Sequence, residues 1–417
     1  MIFRSLAVGV LVLGLFFAAI NPACFGSLVQ EPAAAESVGA SNLAISDGET
    51  KISLTPAELE RRDRVARCLG IYHTKKVDAD KLRPWSIMHG LIAYGDKTLI
   101  VVQGQPVDAI QYLCSNGIGN GMRLMYLDKG NLATRQGQGV QGHEGQLLAM
   151  LAQSRVPASY PIFVEGKKFT VADLIEYEKR GCHSHTELTF KLISLAYYLE
   201  PDAVWTNDQG ETWTMARLIT EEMQQPVNSG ACGGTHRLTS LCYAVEQRLQ
   251  RGQPLDGPWL KAAQAVDGYV ELTWTLQNPD GSFSTNWFKG PGAEADIVRR
   301  LYTTGHILEW LALALPAERM SDPRVTASVD YLLGLMLSAP GYELDVGPRG
   351  HALHALAMYE KKAFGAASDY SDLVMTEAEL AVASAKVKTQ SGSQFAEEPG
   401  TGFSGRRTQS QGVFRRR

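Results

Sequence analysis

The chain has 417 residues, 45% of them hydrophobic and 20% charged, with a net charge of −4, so it can bury a large core. That balance excludes a strongly basic nucleic-acid protein and a chain disordered throughout. In chain order, residues 1–23 read first as a targeting segment: Arg4 precedes an apolar run from Leu6 to Ile20, which ends in Asn21, Pro22 and Ala23. Cleavage after Ala23 would leave Cys24 first, although Asn21 and Pro22 do not fit a lipobox. As a membrane anchor the run falls short of the roughly 20 residues that a span needs. Cleavage, lipidation and retention stay open, and the protein is expected to be exported, to the periplasm or cell envelope. The membrane would then be met only through this segment. Residues 24–53 read as a polar linker.

Residues 54–362 carry a repeated pattern. Six apolar helical stretches each open near a histidine: His89, His143, His185, His236, His306 and His351, spaced 42 to 70 residues apart. That is the length of a helix pair plus loops. A second set of helices is predicted to start after Thr55, Pro106, Thr170, Thr214, Asp256 and Asp322, with the threonines as N-caps. Among these, residues 166–176 (GKKFTVADLIE) align without gaps on 210–220 (GETWTMARLIT). The second set carries charge on one face, as in Glu58, Arg61, Arg62 and Arg64, whereas the histidine set is more uniformly apolar. The two sets alternate, which predicts an all-α fold: an α/α toroid of about six helical hairpins, with the histidine helices inside. A linear solenoid is the competing architecture, but it needs polar caps at its ends. Residues 363–387 read as a C-terminal helical extension. In residues 388–417 six basic side chains outnumber Glu397 and Glu398, a disordered basic tail suited to contact with acidic polymers.

The stretch QNPDGSFSTNW, residues 277–287, resembles the QW motif of the terpenoid-cyclase and protein-prenyltransferase toroids, with Gln277, Gly281 and Phe283 at the matching places. The resemblance implies that this loop ties helix ends together. It implies little about activity, because the DxDD acid motif of the class II cyclases is missing.

The candidate chemistry lies with the histidines and their neighbours. His143 is followed by Glu144, His185 is two residues before Glu187, His236 precedes Arg237, and Glu309 is three after His306 on one helix face; His351 completes the set. Paired imidazole and carboxylate suit general acid–base work, because burial can move both toward neutral pH. Arg237 is placed to hold a substrate carboxylate. On an inner ring these side chains are expected to face one cavity, with helix N-termini adding positive potential. Cys232 and His236 form the best local pair for a metal, and CHSHTE, residues 182–187, is a weaker one. Neither is assigned as a metal site, and no cofactor is assigned. Trp205, Trp213, Trp274 and Trp310 suit either a ligand wall or hairpin packing. The function expected is an exported toroid with a His-rich cavity that binds or processes a small-molecule or polysaccharide ligand, as a carbohydrate lyase or epimerase would. A non-catalytic envelope binding protein is the alternative, and an isoprenoid-handling enzyme the third reading.

Overall fold

The protein is described here by a computed structural model, over residues 54–338 and 344–365. The targeting segment, the linker, Cys24, the basic tail and nearly all of the C-terminal extension lie outside the described residues. Within them the chain is mostly helical, with twelve α-helices. No helix among the described residues is long and apolar enough to cross a membrane.

Helix α1, Pro56–Thr74, starts on a capping box in which the Thr55 side chain accepts from the Glu58 amide while the Glu58 carboxylate accepts from the Thr55 amide. Helix α2 is Pro84–Tyr94 and α3 is Ala109–Cys114. There follow α4, Gln146–Gln153, α5, Val171–Arg180, α6, Thr189–Tyr198, and α7, Met215–Met223. Thr170 and Thr214 cap α5 and α7 as their sequence predicts. The last five are α8, Thr235–Gln250, α9, Gly257–Thr275, α10, Ile297–Ala314, α11, Pro323–Ser338, and α12, Val346–Phe364.

The strictly all-α expectation needs amending, because among the described residues nine short strands interrupt the helices. The strands Leu99–Val102 and Gln105–Asp108 form one antiparallel hairpin, Met125–Asp128 and Asn131–Thr134 a second, and Pro161–Val164 and Lys167–Thr170 a third. Each turns on two residues of positive φ: Gln103 and Gly104, Lys129 and Gly130, Glu165 and Gly166. This backbone matches the twist of paired strands, and glycine enters it at no steric cost. The aligned GKKFT and GETWT stretches are therefore second strands that run into caps. Pro106 lies in a strand, and α3 starts three residues later under Asp108, whose carboxylate accepts from the Gln111 amide.

Six helices pack in succession, α2 on α4, α4 on α6, α6 on α8, α8 on α10 and α10 on α12, and α12 packs back on α2. They are the set expected to open near the histidines, four of them (α2, α8, α10 and α12) carrying one of those histidines within the helix, and their faces are buried almost throughout, as with Leu147 to Ala152 in α4 and Thr303 to Ala312 in α10. The other six lie against them: α3 on α2, α5 on α6, α7 and α9 on α8, α11 on α10, and α1 on α12 and on α11. Gln277 Nε2 donates to the Arg324 carbonyl and to Ser328 Oγ, both at 2.8 Å, so the end of α9 is tied to α11.

Candidate active site

Imidazoles from four of the packed helices meet in the interior. His306 and His351 lie with ring centroids 3.8 Å apart, His236 is 5.0 Å from His351 and 5.4 Å from His306, and His89 is 5.5 Å from His351. His143 joins through Phe190, whose ring is 4.9 Å from His143 and 5.2 Å from His236. The Trp85 ring covers His89 at 3.8 Å.

Nearly every ring is fixed through Nδ1. His89 Nδ1 bonds the Trp85 carbonyl and His306 Nδ1 the Tyr302 carbonyl, each at 2.7 Å and one helical turn back. These carbonyls can only accept, so Nδ1 carries the proton and Nε2 the lone pair. His351 Nδ1 bonds Glu309 Oε2 at 2.7 Å, and His354 Nδ1 bonds the other oxygen of the same carboxylate at 2.6 Å. His143 Nδ1 bonds Glu187 Oε2 at 2.7 Å. Burial drives His89 down to about 4, and it pushes His236, His306 and His351 well below the usual imidazole range, helped by neighbouring imidazoles. These rings are neutral bases near pH 7, and His306 Nε2 is buried with no hydrogen-bond partner.

Beside them the chain makes a tight turn, Ala231–Gly234, in which Cys232 has φ 50°, Gly233 φ 68° and Gly234 φ 97°. Two of the three are glycines for a reason: a Cβ on Gly233 would fall 2.2 Å from the Trp287 ring, and one on Gly234 would fall 2.2 Å from the Val227 carbonyl. Cysteine in the left-handed region is uncommon and costs strain. The turn carries the Cys232 thiol to the imidazoles, so that one donor atom each from Cys232, His236 and His306 lie within 4.8 Å of one another. Cys232 and His236 thus come together through this turn and not by sharing a helix face. Burial pushes the free thiol up to about 12, so a thiolate there calls for a bound cation.

Several expected placements need correction. His89, His306 and His351 do not open their helices: His306 is well inside α10 and the other two lie more than a turn in. Helix-end charge fades within a turn, so it does not act on them. His185 is exposed with φ 63° and stays outside the cluster, while His89, not chosen from sequence, belongs to it. Glu187 serves His143 rather than His185, and Glu309 serves His351 and His354 rather than His306; Glu144 bonds Lys191 at 3.0 Å. Arg237 is buried and fully engaged, with Glu222, the Pro226 carbonyl and Gln225, so it holds the loop before α8 and not a substrate. CHSHTE splits three ways, since His183 pairs with Asp208 at 2.7 Å. Trp213 and Trp310 are fully buried, and Trp205 and Trp274 nearly so, which makes them packing residues. A signal for the exchange of partners was present in sequence, because Gly precedes His143, His306 and His351, and small residues mark places where helices approach closely.

Two clefts flank the loop that carries His143. One, of about 510 Å³, is lined by Glu144, Tyr177, Glu178, His183, Lys191 and Asp208 among others; the second, of about 610 Å³, includes Trp85 and Gly142. Comparison with known proteins finds no matching family model, no matching curated protein and no matching solved structure.

Proposed function

We propose that the twelve helices form a closed α/α toroid, six hairpins around a histidine-lined interior, and that this interior is the active site of a metal-dependent enzyme. The succession of contacts from α2 round to α12 and back to α2 supports the toroid. The observation that carries the metal reading is the convergence of Cys232, His236 and His306, with a buried, unpartnered Nε2 on His306. Imidazole and thiolate suit zinc and similar ions, and Nδ1 bonded to a carbonyl is the usual outer support of a metal-bound histidine. Bonds of about 2.0 Å to nitrogen and 2.3 Å to sulfur put tetrahedral donors about 3.5 Å apart, so side-chain adjustments of an ångström or so would close the set. Three protein donors leave a fourth position, as in catalytic rather than structural sites. A metal held there would acidify a bound water or polarise a substrate oxygen. His351, oriented by Glu309 and packed against the His306 ring, is the base placed to take a proton at Nε2, and Glu309 and His354 continue that hydrogen-bonded path.

The polar cleft beside Glu144 favours a second reading for the substrate: carboxylates, amides and one tyrosine suit a polyhydroxylated ligand, as for a carbohydrate lyase or epimerase. The decisive experiment is metal analysis of the purified full chain after incubation with zinc. One equivalent retained by the parent protein and by His143→Ala, and lost from Cys232→Ser and His306→Ala, is the expected result. A parent protein that retains no zinc and binds no cobalt ends the metal reading.

A further inference from the structure

Tyr302 touches both ends of the cluster. Its hydroxyl donates to Cys232 Sγ at 3.2 Å, and its carbonyl accepts from His306 Nδ1 at 2.7 Å. Its ring packs edge-on against His306, with centroids 4.7 Å apart. Trp287 backs both, 5.2 Å from the Tyr302 ring and 5.9 Å from His306. Thus one residue on α10 holds a donor from its own helix through its carbonyl and a donor from the turn before α8 through its hydroxyl.

The ordinary use of a buried tyrosine hydroxyl is to find a backbone carbonyl, and this protein shows that use repeatedly. Tyr72 donates to the Met336 carbonyl, Tyr94 to that of Leu69 and Tyr198 to that of Val156. Tyr302 donates to a thiol instead. Sulfur is a weak acceptor when protonated, but a charged sulfur accepts well. A tyrosine aimed at cysteine gains most if that sulfur is a thiolate.

We propose that Tyr302 is a positioning residue of the metal centre, setting the direction of both Cys232 Sγ and His306 Nε2 and stabilising the sulfur as a thiolate. This rests on the metal reading given above. Outer partners of this kind typically govern metal affinity by 10- to 100-fold. They also draw electron density from sulfur and so move the energy of its charge-transfer transitions.

The test is titration of the metal-free full chain with Co²⁺, read in the near-ultraviolet for the thiolate-to-cobalt band. Expected are a saturating band in the parent protein, its loss in Cys232→Ser, and in Tyr302→Phe a shifted band with affinity about tenfold weaker. Tyr72→Phe, which loses a buried hydroxyl bond of the ordinary kind, serves as control and should titrate like the parent. A parent protein with no band overturns the metal reading and this inference with it. A parent band that Tyr302→Phe reproduces in both position and affinity overturns the role of Tyr302 alone, leaving the metal site standing. Tyr302→Phe keeps the ring and its packing against Trp287; an unchanged far-ultraviolet spectrum confirms its fold.

Discussion

His306 on α10 and His351 on α12 lie ring over ring, 3.8 Å between centroids and 34° between planes. Such closeness needs helices that approach without side chains between them: a Cβ on Gly305 of α10 would fall 3.1 Å from Ala352 of α12, and the glycine before His351 brings α12 onto α2 in the same way. A Cβ on Gly350 would fall 2.3 Å from the His89 carbonyl of α2. Gly350→Ala is therefore expected to destabilise the protein by about 1–3 kcal/mol, the usual cost of overpacking. Alanine's better helix propensity, about 1 kcal/mol, does not offset a contact with backbone that cannot rotate away. Urea unfolding checks this, and a loss under 0.5 kcal/mol would show that α12 and α2 have room to spare.

The Lys191 ammonium of α6 joins the loop before α4 to α5 by bonding Glu144 and Glu178, each at 3.0 Å, and both Lys191 and Glu178 are buried. Burial raises the Glu178 carboxyl pKa even with the lysine opposing it. Lys191→Met should cost about 3–5 kcal/mol near neutral pH by leaving an uncompensated carboxylate. In that variant the folded pKa lies further above the unfolded one, so the relevant stability is complete in acid and is lost as pH rises through the folded value. The penalty should accordingly be larger at pH 8 than at pH 5. An equal penalty at both would mean that Glu178 is not the group left exposed to the loss.

The helix pattern was legible because it rests on local chemistry: apolar spacing, and Thr55, Thr170 and Thr214 as caps, are written within a few residues. The hairpins were missed because their strands are at most four residues long and merge into the caps, so that GKKFT looked like a helix start. At the site, residue types were legible and partners were not. Glu187 and Glu309 were matched to the nearest histidine in sequence, whereas the structure pairs them with His143 and His351, 44 and 42 residues away. Pairing across neighbouring hairpins depends on which helix faces meet, and one sequence does not state that. The nearness of Cys232 to His236 in sequence makes them a local pair, but what delivers the sulfur is a turn with three positive φ angles, which their spacing does not state.

Acid sensitivity follows from His89. Its folded pKa of about 4 lies below the ordinary 6.5, because burial opposes the charged ring. Between these values the unfolded state holds more protons, so stability is full above pH 6.5 and falls as pH drops toward 4. At pH 4.5 this one group accounts for about 2–3 kcal/mol of lost stability. His89→Gln should keep about that much more of its own pH 7.5 stability when unfolded by urea at pH 4.5. Parallel pH profiles for the two proteins would show that His89 is not protonated on unfolding.

The histidine whose replacement says most is His306. Its Nε2 is buried without a partner, and a buried polar atom left unpaired costs about 1–3 kcal/mol. In a metal-free protein, His306→Leu removes that penalty and fills nearly the same volume, while giving up the Nδ1 bond to the Tyr302 carbonyl, which is worth about 1 kcal/mol. The metal-free variant should be at least as stable as the parent. Zinc at a thousand times its dissociation constant should raise the parent's stability by about 4 kcal/mol, and it should leave His306→Leu unmoved. Thermal unfolding of both proteins, with chelator and with zinc, separates the two meanings of this cluster. If the variant instead loses stability with chelator present and zinc shifts neither protein, His306 is a packing residue and the cluster is part of the core.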